Sequence, residues 1–192
     1  MTTRPPTDYD KDDAVRLIAR EVMNRPVELS PYDPAWPVTF ERLAAGIRGA
    51  IGPAAVAIHH AGSTSVPGLT AKPVIDIVMA VPDSSDEAAY VPGLEAIGYA
   101  LHVRETDWFE HRLLKFVDPT VNMHVFTVGC SEIDRMLAFR DWLRTHDDDR
   151  ALYQAEKLRL GAQTWTFMQD YADAKTAVVE AIIARATGGS PA

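Results

Sequence analysis

Cysteine is nearly absent from this chain: Cys130 stands alone among 192 residues. No internal disulfide can form, and a reducing compartment suits the protein. Long apolar runs are equally scarce. None approaches the ~18 residues that a membrane-spanning helix needs, and the opening MTTRPPTDYDKDD has no apolar heart for a secretory signal. Both absences predict a cytoplasmic protein without a membrane partner. Positive charge is outnumbered, 19 Lys and Arg against 27 Asp and Glu for a net charge of -8. That balance opposes sequence-independent attraction to phosphate backbones and argues against a nucleic-acid partner. There is no GxxxxGK[ST] loop, and no Cys or His stands at zinc spacing beside the adjacent His59 and His60. Neither a P-loop nor a dedicated zinc site is therefore read.

A chain of this length buries one sizeable core. We read a single domain over residues 11–188 between mobile tails at 1–10 and 189–192. Helical spacing of apolar residues in DDAVRLIAREVMN predicts a helix over 12–24, and the prolines of RPVELSPYDP end it. From Asp33, a candidate N-cap followed by Pro34, the residues Trp36, Phe40, Leu43, Ile47 and Ile51 form one apolar stripe that stops at Gly52. AAVAIHHAG then reads as a strand into a turn, and KPVIDIVMAV as a nearly continuous apolar strand of the kind buried on both faces. A helix is expected over 84–97, three short strands in YALHVRE, HRLLKFV and VNMHVFTV, and a helix from Ser131 with Ser-x-x-Asp resembling a capping box. Two more helical stretches, DRALYQAEKLRLGA and FMQDYADAKTAVVEAIIARA, complete the chain. The order predicts an α/β or α+β domain carrying a C-terminal helical cap.

Chemistry concentrates between residues 59 and 81. In Gly62-Ser63-Thr64-Ser65, glycine permits close approach to the backbone, and successive N–H groups and hydroxyls can cradle phosphate oxygens. The same four residues also make a polar turn that satisfies its own backbone. Asp76 lies in the middle of VIDIVM, where an unpaired carboxylate is costly, so a specific partner must face it. That partner is either a magnesium ion carrying polyphosphate or a structural Arg, Lys or backbone group. Strand alternation puts Asp76 on the face of Val74 and Val78, where a two-carboxylate metal site would want an acid. In VNMHVF, Asn122, His124 and Phe126 share one face, and His124 can serve as a base, a ligand or simply a hydrogen-bonded strand residue. Arg112 and Lys115 fall on opposite faces of their strand, so at most one reaches the cleft of Asp76. Ser131, at its helix N-terminus, either binds an anion or caps the helix.

HHAGSTSVPGLTAKPVIDIVMAV, followed by NMHVF, GCSEIDRMLAFRDWLRTH, YQAEKLRL and YADAK, closely resembles the GrpB-like family over about residues 26–186. That family also occurs as an accessory domain after dephospho-CoA kinase and is grouped with the nucleotidyltransferase superfamily. The resemblance implies a nucleotidyltransferase-like small mixed β-sheet flanked by helices, with C-terminal helices packing beside it. It implies a turn gripping nucleotide phosphates, matched by Gly62 and Ser63, and a magnesium-binding acid-x-acid pattern whose first acid is matched by Asp76. The second acid is missing, because Val78 occupies its place, and no third is evident where Asn122 and His124 stand. A one-metal site would draw on Asp76 with Glu110, Asp107 or His124. Lys72 would neutralise phosphate charge at the pocket mouth, and Arg140, Lys157 and Lys175 lie on helices that close over the nucleotide in that superfamily.

Two functions follow from these residues. One is transfer of a nucleotidyl group from ATP or another NTP to a small-molecule acceptor, with Mg²⁺ on Asp76, His124 as a second catalytic group and the triphosphate on Gly62, Ser63, Thr64, Ser65 and Lys72, supported by Arg112, Arg140, Lys157 and Lys175. The alternative is a degenerate nucleotide- or CoA-binding module acting as an accessory or folding partner of another protein.

Overall fold

The computed structural model describes residues 22–188. The apolar stripe after Asp33 becomes α1 (Ala35–Ile51), burying Trp36, Phe40, Leu43, Ala44 and Ile47. The cap position falls on Pro34, one residue later than read, but Asp33 still serves the helix start, since its Oδ1 accepts the Ala35 amide at 2.8 Å. At the other end, Gly52 adopts a positive φ and returns its N–H to the Arg48 carbonyl, the usual way a helix turns out of its last turn.

Five strands make the central sheet: β2 (Ala57–Ala61), β3 (Ile75–Val81), β4 (Ala100–Glu105), β5 (His111–Phe116) and β6 (Val121–Thr127). They lie in the order β2-β3-β6-β5-β4. The sheet is mixed, because β3 and β6 run parallel while the other neighbours are antiparallel. The apolar run of β3 has the predicted reason: Ile75, Ile77, Met79 and Val81 join α1 and α2 (Val91–Ala96) in the main core. On the opposite face, Val78 and Ala80 pack with Phe126 and with Ile133 of α3 (Ser131–Thr145). That second face is completed by α4 (Asp147–Gly161), α5 (Met168–Asp173) and α6 (Thr176–Ala186). Leu143, Tyr153 and Ile182 there bury Val66 and Leu69 of the loop between β2 and β3. A two-stranded antiparallel ribbon of β1 (Val22–Arg25) and β7 (Trp165–Phe167) stands apart from the main sheet.

Several expectations are corrected. The helix read over 12–24 ends as strand β1, held by pairing with β7, and its earlier residues lie outside those described, as do the tails read at 1–10 and 189–192. The helix expected over 84–97 shrinks to α2 behind a 3₁₀ turn at Glu87–Ala89. Side chains in PDSSD compete for the backbone there: Asp83 accepts the Ser85 amide at 2.8 Å, and Thr127 Oγ1 takes the Ser84 amide at 3.0 Å. Ser131 makes no capping hydrogen bond, because the cap position falls on Cys130 and Ser131 is the first helical residue. The final helical stretch is broken between α5 and α6, at Ala174 and Lys175. Among the described residues, no helix is long and apolar enough to cross a membrane.

Ile77 is fully buried in the main core, whereas Val117 is 86% exposed. Ile77→Ala should cost about 2–5 kcal/mol, from lost transfer energy plus a residual cavity, while Val117→Ala should stay within about 0.5 kcal/mol. Urea unfolding of the two variants measures the contrast.

Candidate functional site

The turn after β2 is built around Gly62, at φ 63° and ψ -172°, a region open essentially to glycine alone. Space imposes a second reason: a Cβ at this position would lie 2.1 Å from Asp76 Oδ2. Ser63, Thr64 and Ser65 then form a 3₁₀ turn. The expected hydroxyl cradle is only partly present. Thr64, 1% exposed, donates to the Val74 carbonyl at 3.0 Å, so its oxygen accepts from His60 Nε2 at 3.1 Å. Ser65 donates to the Gly62 carbonyl at 2.6 Å. Both hydroxyls are consumed in stiffening the turn, and Ser63 alone turns to the helices, hydrogen-bonding Tyr153.

Asp76 sits in a row that crosses the sheet, with Ala61 on β2, Asn122 on β6 and Lys115 on β5 as successive register partners. Asn122 Nδ2 donates to Asp76 Oδ1 at 3.1 Å. The residue keeps some solvent contact, yet its carboxyl is closely surrounded by protein. Three lysines face it: Lys72 from the loop before β3, Lys157 from α4 and Lys175 from the α5–α6 junction. Burial raises the pKa of Asp76 against the opposing pull of Asn122 and these lysines. The same burial pushes Lys157 down to about 7 and Lys175 to about 8, each opposed by the Asp76 charge and reinforced by a neighbouring lysine, and it also lowers Lys72. Lys157, 3% exposed, donates to the Thr70 carbonyl, while Gln154 on the same helix accepts the Thr70 amide at 2.8 Å.

Two tyrosines frame these amines. Lys157 Nζ is 5.3 Å from the centre of the Tyr153 ring, and Lys175 Nζ is 4.3 Å from that of Tyr171, favourable positions for a cation over a π face. Burial raises both tyrosine pKa values, that of Tyr171 to about 12. Sequence reasoning missed both rings, although the signal was present in Tyr153-Gln-Ala-Glu-Lys157 and Tyr171-Ala-Asp-Ala-Lys175. Residues four apart on a helix share a face. The Tyr171 hydroxyl is buried without a hydrogen-bond partner among the described residues.

This donor set does not fit a magnesium ion. Divalent magnesium wants several oxygen ligands in an octahedron, whereas one carboxylate is present here, already bonded to an amide N–H, and the charge of three neighbouring lysines opposes a further cation. Among the described residues no group of three or more His, Cys, Asp and Glu could hold a metal.

Other predicted residues lie elsewhere. Arg112 is on the opposite face of the sheet, bonded to Glu87 at 2.6 Å and Glu110 at 3.1 Å. Lys115 is the basic residue of β5 that shares the row of Asp76. Glu110 and Asp107 occupy the turn between β4 and β5, at the far end of β5 from Lys115, which removes them from any shared site with Asp76. Arg140 of α3 donates to the His60 carbonyl at 3.0 Å and forms a two-bond pair with Asp141. His124 does lie on the face of Asp76, beyond Asn122, and its Nδ1 is 3.1 Å from His111 Nε2. His111 Nδ1 in turn lies 2.7 Å from Glu105 Oε2. This Glu-His-His chain was not legible from strand alternation, because it joins the register partners Glu105 and His111 of β4 and β5 and then steps diagonally to His124 of β6.

Residues 26–185 match the family model described as GrpB protein. The chain belongs to the GrpB family. Its GrpB relatives include a UPF0157 protein of Halalkalibacterium halodurans, 53% identical over 163 residues that cover 85% of this chain and 84% of that one. A UPF0157 protein of Streptomyces coelicolor is 46% identical over 160 residues, 83% of this chain and 84% of that one. A dephospho-CoA kinase of Mycobacterium tuberculosis is 30% identical over 170 residues, 75% of this chain but 42% of the kinase. The crystal structure of GrpB from Enterococcus faecalis superposes with a TM-score of 0.68 at 27% identity, covering 84% of this chain and 98% of that one.

Gly62→Ala should destabilise the protein by more than the roughly 1–3 kcal/mol of backbone strain alone, because the new methyl also meets Asp76. Adding Asp76→Ser should recover part of the loss in a double-mutant cycle of urea midpoints. The lysines set a pH dependence. Folded Lys157 and Lys175 release protons near 7 and 8, below the ordinary value of 10.5, so between about pH 7 and 10.5 the unfolded chain binds more protons and stability rises with pH. Urea midpoints across pH 6.5–9.5 should climb, and Lys157→Met should flatten the climb.

Proposed function

We propose that the Asp76 pocket binds the phosphate groups of a nucleotide or a coenzyme A-type molecule, with lysine ammoniums in place of a metal ion as the neutralising charge. The observation that carries this reading is the convergence of Lys72, Lys157 and Lys175 on one enclosed carboxylate. Three amines around a single acid leave an excess of positive charge wherever they are protonated. Burial makes that charge costly, and a phosphate offsets the cost by lowering the local potential. The Gly62 turn brings backbone within reach, Ser63 and Tyr153 supply hydroxyls, and Asn122 holds Asp76 in place. The kinship with dephospho-CoA kinases supports the ligand class, since dephospho-CoA joins a nucleoside to pantetheine through a diphosphate.

Nucleotidyl transfer is the enzymatic form of the same reading. An acceptor hydroxyl would attack the α-phosphorus of ATP or another NTP, the new O–P bond would form as the bond to pyrophosphate breaks, and Asp76 would take the hydroxyl proton. The lysines would then stabilise the departing pyrophosphate, the place where charge builds up. A carboxyl whose pKa burial has raised suits a proton acceptor better than an ordinary exposed one.

Thermal unfolding with ATP, GTP, CoA, dephospho-CoA and pyrophosphate, each in Mg²⁺ and in EDTA, tests the binding reading. A ligand at about 100 times its dissociation constant adds roughly 2.7 kcal/mol. At least one compound should raise the melting temperature equally in EDTA and in Mg²⁺, and Lys157→Met should abolish that rise. Stabilisation that requires Mg²⁺ and survives Lys157→Met would overturn the assignment.

A further inference from the structure

A cavity opens on the other side of the Gly62 turn from Asp76. It encloses about 450 Å³, within the roughly 300–1,000 Å³ of small-molecule sites, between α1, the free edge of β2, the turn and α3. Its walls are of two kinds. Tyr32, Phe40 and Ile58 give it an apolar side, with Phe40 stacked on the buried ring of His60 at a centroid distance of 4.8 Å and 9° between planes. Facing them are Arg140 and Arg144, one helical turn apart on α3.

The arginines are held in place rather than free to swing. Arg144 donates from Nε and Nη2 to the Ser65 carbonyl at 3.0 and 2.9 Å, Arg140 grips the His60 carbonyl, and Asp141 lies between them at 2.8 Å from Arg140 and 3.2 Å from Arg144. Each guanidinium has five N–H donors, and these bonds use three on each. The remaining donors are oriented beside an aromatic wall, which is the setting for a planar group rich in hydrogen-bond acceptors. Burial, and after it the two arginines, lower the His60 pKa to about 4, so its ring stays neutral and stacks as an uncharged surface at physiological pH.

Position links this cavity to the phosphate pocket. Ser63 bonds Tyr153 on the lysine side, Ser65 is gripped by Arg144 on the other, and only Thr64 separates them. A 3₁₀ turn rises about 2 Å per residue, so the two serines stand only about 4 Å apart along the turn, close enough for one ligand to reach past both. His59 also connects them: it lies on the same face of β2 as Ala61, the partner of Asp76, and it lines the cavity.

We infer that this cavity holds the nucleobase of the ligand whose phosphates occupy the lysine pocket, making the ligand a nucleoside polyphosphate or an adenosine-bearing coenzyme rather than a bare phosphate ester. The inference rests on the phosphate-binding reading above, and its test separates the two. Calorimetric titration would compare ATP and dephospho-CoA with inorganic tripolyphosphate in EDTA, on the wild type and on Tyr32→Ala, Arg144→Gln and Lys157→Met. Tyr32→Ala and Arg144→Gln should each weaken the nucleoside-bearing ligand by tenfold or more and leave tripolyphosphate within twofold, whereas Lys157→Met should weaken both kinds. Equal loss of both ligands in Tyr32→Ala, or no loss of either, would remove the base from this cavity while leaving the phosphate pocket intact. No binding of any of the three by the wild type would sink both readings together. Amide NMR of the wild type gives an independent measure that needs no variant: His59 and Arg144 signals should shift with ATP but not with tripolyphosphate, and unshifted signals at saturating ATP would also overturn the inference.

Discussion

A carboxylate set into an otherwise apolar strand governs this molecule. Asp76 interrupts β3 in the sheet interior, and an unpaired charge there would cost several kcal/mol. The surroundings meet that cost with one amide from Asn122 and the field of three lysines. Each supporter comes from a different part of the chain: the loop before β3, strand β6, helix α4 and the junction of α5 and α6. Gly62 is fixed by the same group, because any larger residue would collide with the carboxyl. The lysines in turn are tolerable only because the acid faces them. The sheet face and the C-terminal helices therefore depend on each other through electrostatics as much as through the apolar cluster of Val66, Leu143, Tyr153 and Ile182.

Much of the scaffold was legible because it follows from short-range rules. The stripe from Trp36 to Ile51, the Asp33 hydrogen bond at its start and the double-faced burial of β3 all follow from periodicity and local chemistry. What failed locally failed for tertiary reasons. The helical spacing that reaches Val22 yields there to the pairing of β1 with β7, and Ser84 is drawn to Thr127, more than forty residues further along the chain.

The site divides in the same way. Lys72, Asp76, Lys157 and Lys175 come together, but Arg112 and Arg140 do not join them. For Arg112, strand parity already reduced the choice to one of two basic residues, and the register selects Lys115. For Arg140, sequence placed a cation on a C-terminal helix without saying which side of α3 faces the turn. Thr64 and Ser65 show a different limit. A hydroxyl that supports its own loop and one that reaches a ligand have the same letter in the sequence, and only the partners, the Val74 and Gly62 carbonyls, tell them apart.

The lysine positions also bear on how the chain folds. Asp76 and Lys175 stand roughly a hundred residues apart, and contacts of such separation form late because loop closure comes before they repay it. The β2–β3 hairpin can pair as soon as it is made, but the acid at its loop end has no ammonium from α4 or the α5–α6 junction until those helices dock. During synthesis the emerging sheet thus carries a charge only partly compensated, by Lys72 and Asn122, on the face that the last third of the chain will cover. That charge opposes premature collapse and self-association of this face, so the group that makes the finished interior expensive keeps the unfinished one in water.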